Sequence, residues 1–350
     1  MESLIQELKE RKTLDDSSFR FLLDGPDPAV TDDLRAAARD VAAERFGGRV
    51  WLRGLIEWSN VCRNDCLYCG IRRSNRLVRR YSLGREEILS CCERIWRAGI
   101  RTFVLQGGEN PVAAEGLAPV VAEIRASWPD AAITLSLGEL PSGTCALLRR
   151  SGADRYLLRH ESADPAHYAR LHPAGMRLES RLACLRTLRA LGFQTGMGMM
   201  VGSPWQTTDH LVADLRLLEA FRPEMIGVGP FIPHPDTPLG MFPAGSAERT
   251  LRLYSLLRLM FPDALIPATT ALSALLPGGR LAGLAAGANV IMPNFTPSRE
   301  RAAYDLYEGK HAATVESDGM LPGLIQELTS AGYTLAQTRG DYKYKENAYV

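Results

Sequence analysis

The sequence predicts an α/β fold, a complete (βα)8 barrel of the TIM type with an N-terminal helical extension, and three observations carry that expectation. Eight apolar, strand-like segments recur between Trp51 and Met292. Amphipathic helical stretches fill the gaps, several ending in a glycine just ahead of the next strand, as at Gly99, Gly152, Gly192 and Gly287. Each unusual local sequence falls where a strand ends and a helix has yet to begin, the face on which barrels carry their active sites. Alternation at this count favours a closed parallel barrel over an open doubly wound sheet.

In chain order, residues 1–48 read as a helical extension. Leu4, Ile5 and Leu8 share a helix face, and Thr31 caps an acidic first turn before an Ala-rich run that stops at Gly47 and Gly48. The barrel occupies 49–310, with strands expected at 51–59, 102–106, 133–137, 155–158, 194–199, 225–228, 265–267 and 289–292. Helices are expected at 85–98, 115–128, 179–191, 208–221, 247–261 and 275–286. Residues 311–350 form a C-terminal helix and a tail that closes the barrel. In that tail Lys343, Lys345 and Glu346 alternate with tyrosines, which suits a closing strap and a solvated end equally.

Composition bounds the function. In 350 residues, 46% hydrophobic and 23% charged side chains describe a chain with a large core. A net charge of +1 gives no bulk electrostatic footprint for nucleic acid or an anionic membrane. No apolar run approaches the roughly 20 residues of a membrane helix, and residues 1–10 lack the basic start and apolar core of a secretion signal. The expected location is the cytoplasm. Of seven cysteines, three crowd into eight residues, which argues for metal ligation in a reducing compartment over a disulfide framework.

Those three are Cys62, Cys66 and Cys69, directly after the first strand. A structural zinc site wants four ligands, and an iron-sulfur cube held by protein alone takes four cysteines. Three thiolates leave one iron open to chelation by the amino and carboxylate groups of a small molecule. A zinc half-site completed from elsewhere, or three reduced buried thiols, would each need a coincidence of spacing. The C-x3-C-x2-C pattern, with Tyr68 before the last cysteine, resembles the signature of radical S-adenosylmethionine enzymes.

Other strand ends add candidates. Gln106-Gly107-Gly108-Glu109 could bring backbone close to a ligand and a carboxylate to an ammonium group, or mark only a turn. Thr134 and Ser136 share one face by the two-residue period. Arg155 and Arg159 also share a face, where they meet either an anion or a structural partner such as Glu161 or Glu139. The Gly- and Met-rich run 196–204, which includes Met200, suits adenosine lying along backbone or tight core packing. Four prolines in residues 230–238 stiffen a loop holding His234 and Asp236, whose roles stay open between catalysis and fixing the fold. Thr269, Thr270 and the stretch from Met292 to Thr296 offer hydroxyls and amides for an adenine edge or an anion.

Together these segments resemble the HydE family of radical S-adenosylmethionine maturases of FeFe-hydrogenase, over about residues 50–310. The resemblance is carried by the stretches from Ser59 to Gly70, Leu105 to Glu109, Thr134 to Glu139, Arg155 to Glu161, Gly229 to Pro238, Ile266 to Thr270 and Ala288 to Pro293. It implies one 4Fe-4S cluster on Cys62, Cys66 and Cys69, S-adenosylmethionine on the open iron, and reductive cleavage to a 5'-deoxyadenosyl radical. Along the cofactor it implies Tyr68, Gln106, Gly107, Gly108, Glu109, Ser136, Arg159, Glu161, Arg181, Met200 and Met292. Glu161 would hold the ribose hydroxyls, and Arg159 and Arg181 would face the methionyl carboxylate. Thr134, Arg155, Thr269, Thr270 and Tyr304 would line an inner substrate and anion site and take part in catalysis. The implied substrate is a small cysteine-bound iron carbonyl and cyanide complex. The implied partners are a one-electron reductant protein and other hydrogenase maturation proteins.

Some relatives carry a second cysteine motif near the C-terminus, whereas 311–324 here contains no cysteine, so one cluster is expected. Cys91, Cys92, Cys145 and Cys184 fall on predicted helices as structural residues. An amino-acid mutase like methylornithine synthase is the alternative enzyme, and a non-catalytic metal-carrier barrel the alternative class. A sulfur-inserting enzyme like biotin synthase ranks low, because no predicted strand supplies a further cysteine ligand inside the barrel.

Overall fold

Parallel strands wrapped in helices dominate the computed structural model, which describes residues 2–25, 27–313 and 317–342. The strands are β1 (Arg49–Leu52), β2 (Gly54–Ser59), β3 (Thr102–Gly107), β4 (Ala132–Ser136), β5 (Arg155–Leu157), β6 (Gln194–Met197), β7 (Met200–Val201), β8 (Met225–Ile226), β9 (Gly229–Pro230), β10 (Val290–Ile291) and β11 (Thr334–Leu335). Six of them form one parallel sheet in the order β2-β3-β4-β5-β6-β8. Beside it stand a three-stranded sheet, β10-β1-β11, and the pair β7-β9, also parallel. Single parallel bridges, Met225 to Leu265, Pro267 to Val290 and Leu55 to Asn294, link β8 back to β2 by way of residues 265–267 and β10.

Several elements differ from expectation, each for a local reason. The strand expected at 51–59 is two strands, because Arg53 interrupts it with its guanidinium buried. Residues 265–267 make isolated bridges instead of a ladder, since Pro267 has no N–H to donate. The helix expected at 115–128 splits into Pro111–Glu115 and Ala118–Ser127, with Pro119 in the first turn of the second. The one expected at 275–286 is Thr270–Leu275 followed by Gly279–Ala285, broken at Pro277 and at Gly278, whose φ is 71°. The third N-terminal helix, Pro28–Phe46, starts ahead of Thr31: Asp27 caps it by accepting from Ala29 N at 2.9 Å, and Pro28 occupies the first turn.

Side chains alternate across the sheet as the two-residue period requires. Ile56 and Trp58 join the core shared with the outer helices, and a Cβ on Gly54 would run into Ile95 of helix Arg85–Arg97. Leu55 and Glu57 therefore face the interior. Register aligns Glu57 with Gln106, and Gln106 with Ser136; Thr134 aligns with Arg155, and Arg155 with Gln194.

The segment Arg339–Tyr342 lies against the end of the sheet where the strands begin. Arg155 donates to Arg339 O at 2.6 Å and to Asp341 Oδ1 at 2.7 Å, Gln194 Nε2 donates to Asp341 at 3.0 Å, and Trp51 Nε1 donates to Thr338 Oγ1 at 3.1 Å. Lys343, Lys345 and Glu346 lie outside the described residues. Among the described residues no helix is long and apolar enough to cross a membrane.

Candidate cluster and cofactor site

The loop after β2 is held by its own backbone partners. Asn60 Nδ2 donates to Arg79 O (2.9 Å) and Ala303 O (2.6 Å), and its Oδ1 accepts from Tyr81 N (2.9 Å). Arg80 donates to the carbonyls of Asn60, Ile71, Arg72 and Asn75. Asp65 accepts from Ser74 N, Ser74 Oγ and Arg72 Nε. A Cβ on Gly70 would collide with Asp305 O and the His234 ring, so glycine is required directly after Cys69. Within this frame Cys62, Cys66 and Cys69 are half-buried free thiols. Burial pushes all three pKa values up, that of Cys69 to about 12, and each of Cys66 and Cys69 is raised further by a neighbouring thiolate.

Charged residues surround the loop. Glu109 Oε1 accepts from Arg63 Nε at 2.8 Å and its Oε2 from Glu139 N at 2.7 Å, so both oxygens are engaged. Cβ atoms on Gly107 and Gly108 would run into Trp58 and into Val61 and Cys62. The close approach these glycines permit is thus between the end of β3 and the cysteine loop. Arg181 is buried, 3.0 Å from Glu139 Oε1, and donates to Tyr168 Oη (3.2 Å) and Arg159 O (3.1 Å). Glu161 is buried with φ 66°, the left-handed region that a carboxylate side chain rarely adopts, and such strain clusters at functional sites. Arg159 Nη2 lies 2.9 Å from Glu161 Oε2, yet Arg159 Nε, Nη2 and Glu161 Oε2 make no hydrogen bond of good geometry.

Tyr68 is fixed through His172. The His172 Nδ1–H donates to Tyr168 O at 2.8 Å, which leaves Nε2 to accept from Tyr68 Oη at 3.3 Å. That neutral tautomer is enforced by burial, which lowers the His172 pKa to about 3. The unfolded chain takes up this proton near pH 6.5 and the folded chain does not, so stability is lost as pH falls from about 6.5 towards 3. His172→Phe is expected to reduce the acid slope of unfolding free energy by about 1.4 kcal/mol per pH unit. Chemical denaturation between pH 4 and pH 7 measures it, and an unchanged slope would assign the proton uptake elsewhere.

Other candidates lie farther in or at the opposite end. Ser136 is half-buried beside Gln106, whose Nε2 donates to Tyr304 Oη at 3.4 Å. Met200 packs with Phe231, Leu239, Leu67 and Tyr68 under the loop, whereas Met292 packs with Met225, Leu265, Trp51 and Tyr342. Thr269 caps helix Thr270–Leu275 and contacts Tyr254 Oη at 3.3 Å. Thr134 Oγ1 is buried without a partner. Arg155 is fully buried among Thr102, Gln194 and Asp341, with the C-terminal segment. His234 ties two loops together: Nε2 lies 3.1 Å from Asp305 Oδ2, and Nδ1 accepts from Asp236 N.

Sequence reasoning missed Arg53, Glu57 and Lys310. Lys310 Nζ lies 2.8 Å from Glu57 Oε1, both side chains buried, and Arg53 is buried with Nε and Nη2 unpartnered. Their signal was a lone charge inside an otherwise apolar strand run, at Arg53 and again at Glu57.

The match to the Radical SAM superfamily spans residues 56–218. The chain is 42% identical, over 94% of its own length and 94% of the relative's, to the [FeFe] hydrogenase maturase subunit HydE of Thermotoga maritima. The chain belongs to the HydE family of radical SAM enzymes. The HydE relationship stands above a second one, 30% identity over 83% of each chain, to the 3-methylornithine synthase of Methanosarcina acetivorans. Among solved structures, methylornithine synthase (PylB) matches with TM-score 0.83 and 28% identity over 95% of this chain and 97% of that one. The maturase HydG matches with TM-score 0.80 at 21% identity, over 98% and 77%, which is a likeness of fold.

Membership of the HydE family implies an iron-sulfur cluster and S-adenosylmethionine, and the residues present fit both. Three free thiols share one loop, and thiols give up their protons when a metal binds. Among the described residues no three His, Cys, Asp or Glu side chains converge on a single ion; a four-iron cube spaces its thiolates more widely than one ion does. Arg159, whose Nε has no hydrogen-bond partner, and the strained Glu161 paired with it offer donors and acceptors to a zwitterionic, ribose-bearing molecule.

Proposed function

We propose that this chain works in assembly of the FeFe-hydrogenase cofactor, binding one 4Fe-4S cluster and S-adenosylmethionine inside a complete (βα)8 barrel and acting on a small cysteine-bound iron carbonyl and cyanide complex. What carries this reading is the 42% identity to HydE over nearly the whole chain, together with a loop of three thiols at the end of β2. The bridges through residues 265–267 support eight barrel strands, and the lack of cysteine in 311–324 supports a single cluster. Cysteine usage favours the cytoplasm.

The cluster that Cys62, Cys66 and Cys69 would hold would supply one electron to S-adenosylmethionine, whose C5'–S bond would break to give methionine and a 5'-deoxyadenosyl radical. This chain's residues hold and shield that chemistry. Cys62, Cys66 and Cys69 bind three irons, and Tyr68 walls the pocket from its hydrogen bond to His172. Glu161 accepts from the ribose hydroxyls, and Arg159 and Arg181 meet the methionyl carboxylate. Ser136, Gln106 and Met200 line the cavity, with Thr134, Thr269, Thr270 and Tyr304 farther in, whereas Met292 and Arg155 are taken up by the packing at the other end of the strands. A dry interior protects a radical from side reactions. Anaerobic reconstitution tests the reading: a brown protein with about four irons, reducible and perturbed by S-adenosylmethionine, is expected. A colourless zinc protein would reject it.

The electron donor also has a place to land. Arg63, Arg73, Arg76 and Arg79 are exposed on and just after the cysteine loop, as is Leu77, in a chain of net charge only +1. Exposed arginines beside the cysteine loop fit a small acidic electron carrier. Arg73→Glu with Arg76→Glu is expected to slow reduction by an acidic flavodoxin roughly tenfold at low salt, and reduction by dithionite not at all. Stopped-flow bleaching of the cluster measures both, and equal slowing would place the arginines in the loop's own stability.

A further inference from the structure

Glu57 is a carboxylate with no exposure, on a strand whose neighbours are apolar. It faces the barrel interior on the same rung as Gln106 and Ser136. Its Oε1 meets Lys310 Nζ at 2.8 Å, and its Oε2 has no hydrogen-bond partner. An ionised carboxylate can accept about four hydrogen bonds, and burying one with part of that capacity unused is costly. Around it the chain supplies more acceptors: the Gln106 amide oxygen, the Ser136 hydroxyl and the face of Tyr304, whose ring centre lies 5.2 Å from Lys310 Nζ. Acceptors on three adjacent strands with an aromatic face make a receptor for an ammonium group.

Lys310 fills that receptor from outside the sheet. It sits on the short helix Lys310–Ala313, so its side chain can withdraw without breaking a strand.

We propose that Glu57, with Gln106 and Ser136, binds the α-ammonium group of the substrate, and that Lys310 is a tethered placeholder which that ammonium displaces. This rests on the amino-acid-bearing substrate proposed above and assigns its orientation: ammonium towards β2. Retaining Lys310 keeps Glu57 paired while the cavity is empty, since a buried carboxylate without a cation is strongly destabilising.

The test uses cluster-loaded protein with S-adenosylmethionine under anaerobic calorimetry. The probes are S-methyl-L-cysteine and 3-(methylthio)propionate, which differ only in the amino group. Wild type is expected to prefer the amine. Glu57→Gln is expected to lose that preference by about tenfold or more, the worth of one charge-assisted hydrogen bond. Lys310→Met is expected to bind the amine about tenfold more tightly, because the placeholder no longer competes. Lys310→Ala repeats the arm in case the longer side chain packs badly. A preference unchanged in Glu57→Gln, or affinities unchanged in both Lys310 variants, would overturn the proposal, as would no binding of either probe to any of the four proteins. Cleavage of S-adenosylmethionine by wild type without probes tests the enzyme assignment separately.

Discussion

Cys66→Ala is expected to abolish reductive cleavage of S-adenosylmethionine while leaving the fold intact. Cys66 lies mid-loop, and the loop's shape comes from Asn60, Asp65, Arg63 and Arg80, none of which bonds to the Cys66 side chain. Losing the thiol therefore removes a ligand without removing a scaffold. Loss of an outer partner of a metal ligand costs about 10–100-fold in affinity or activity, and loss of the ligand itself costs more. Bound iron should fall, cleavage should drop by more than about a hundredfold, and the thermal midpoint of the metal-free protein should stay in place. Cys145→Ala is the matched control: its thiol and that of Cys184 point to the same carbonyl, Leu140 O, between helices Ser142–Arg150 and Leu178–Ala190. That variant should keep its iron. Full cleavage activity in Cys66→Ala would remove the cluster from this loop.

What was legible in the sequence followed the strength of local signals. The three cysteines at the end of a strand, the parallel β/α alternation and the glycine stops could be read because each is a short-range pattern. Strand 265–267 was a weaker case: an apolar run containing Pro267 signals burial but not a ladder. The glycines at 107 and 108 looked like a ligand cradle, and only the packing shows that the body pressing on them is Trp58 and the cysteine loop. His234 could not be assigned from its Pro-rich surroundings, since its partner Asp305 is far away in sequence. Glu57 and Lys310 are separated by most of the barrel, and nothing local to either names the other. Pairings of this kind are set by closure of the fold.

Two buried arginines at the start of the strands should respond in opposite ways to the same substitution. Arg155 is saturated: Asp341, the Arg339 carbonyl, Gln194 and Thr102 all accept from it, and burial alone would lower its pKa further if Asp341 did not oppose it. Arg155→Met is expected to cost about 2 kcal/mol, because Asp341 keeps Arg339 and Gln194 but loses its charge-assisted hydrogen bond from Arg155, and the segment that covers this end is freed. Arg53 is the reverse case. Its Nη1 reaches only Met225 Sδ at 3.3 Å, its other nitrogens have no partner, and burial and the charge of Arg155 push its pKa well down. Arg53→Met should leave stability unchanged or raise it by about 1 kcal/mol or more, since an unpaired buried charge is replaced by a side chain of similar volume. Denaturant midpoints with hydrogen exchange of residues 339–342 measure both, and exchange should quicken only in Arg155→Met. If Arg53→Met proved as damaging as Arg155→Met, Arg53 would belong to the scaffold. If the opposite signs hold, stability does not explain why a guanidinium stands there, beside Arg155 and its register partner Thr134 with a bare hydroxyl.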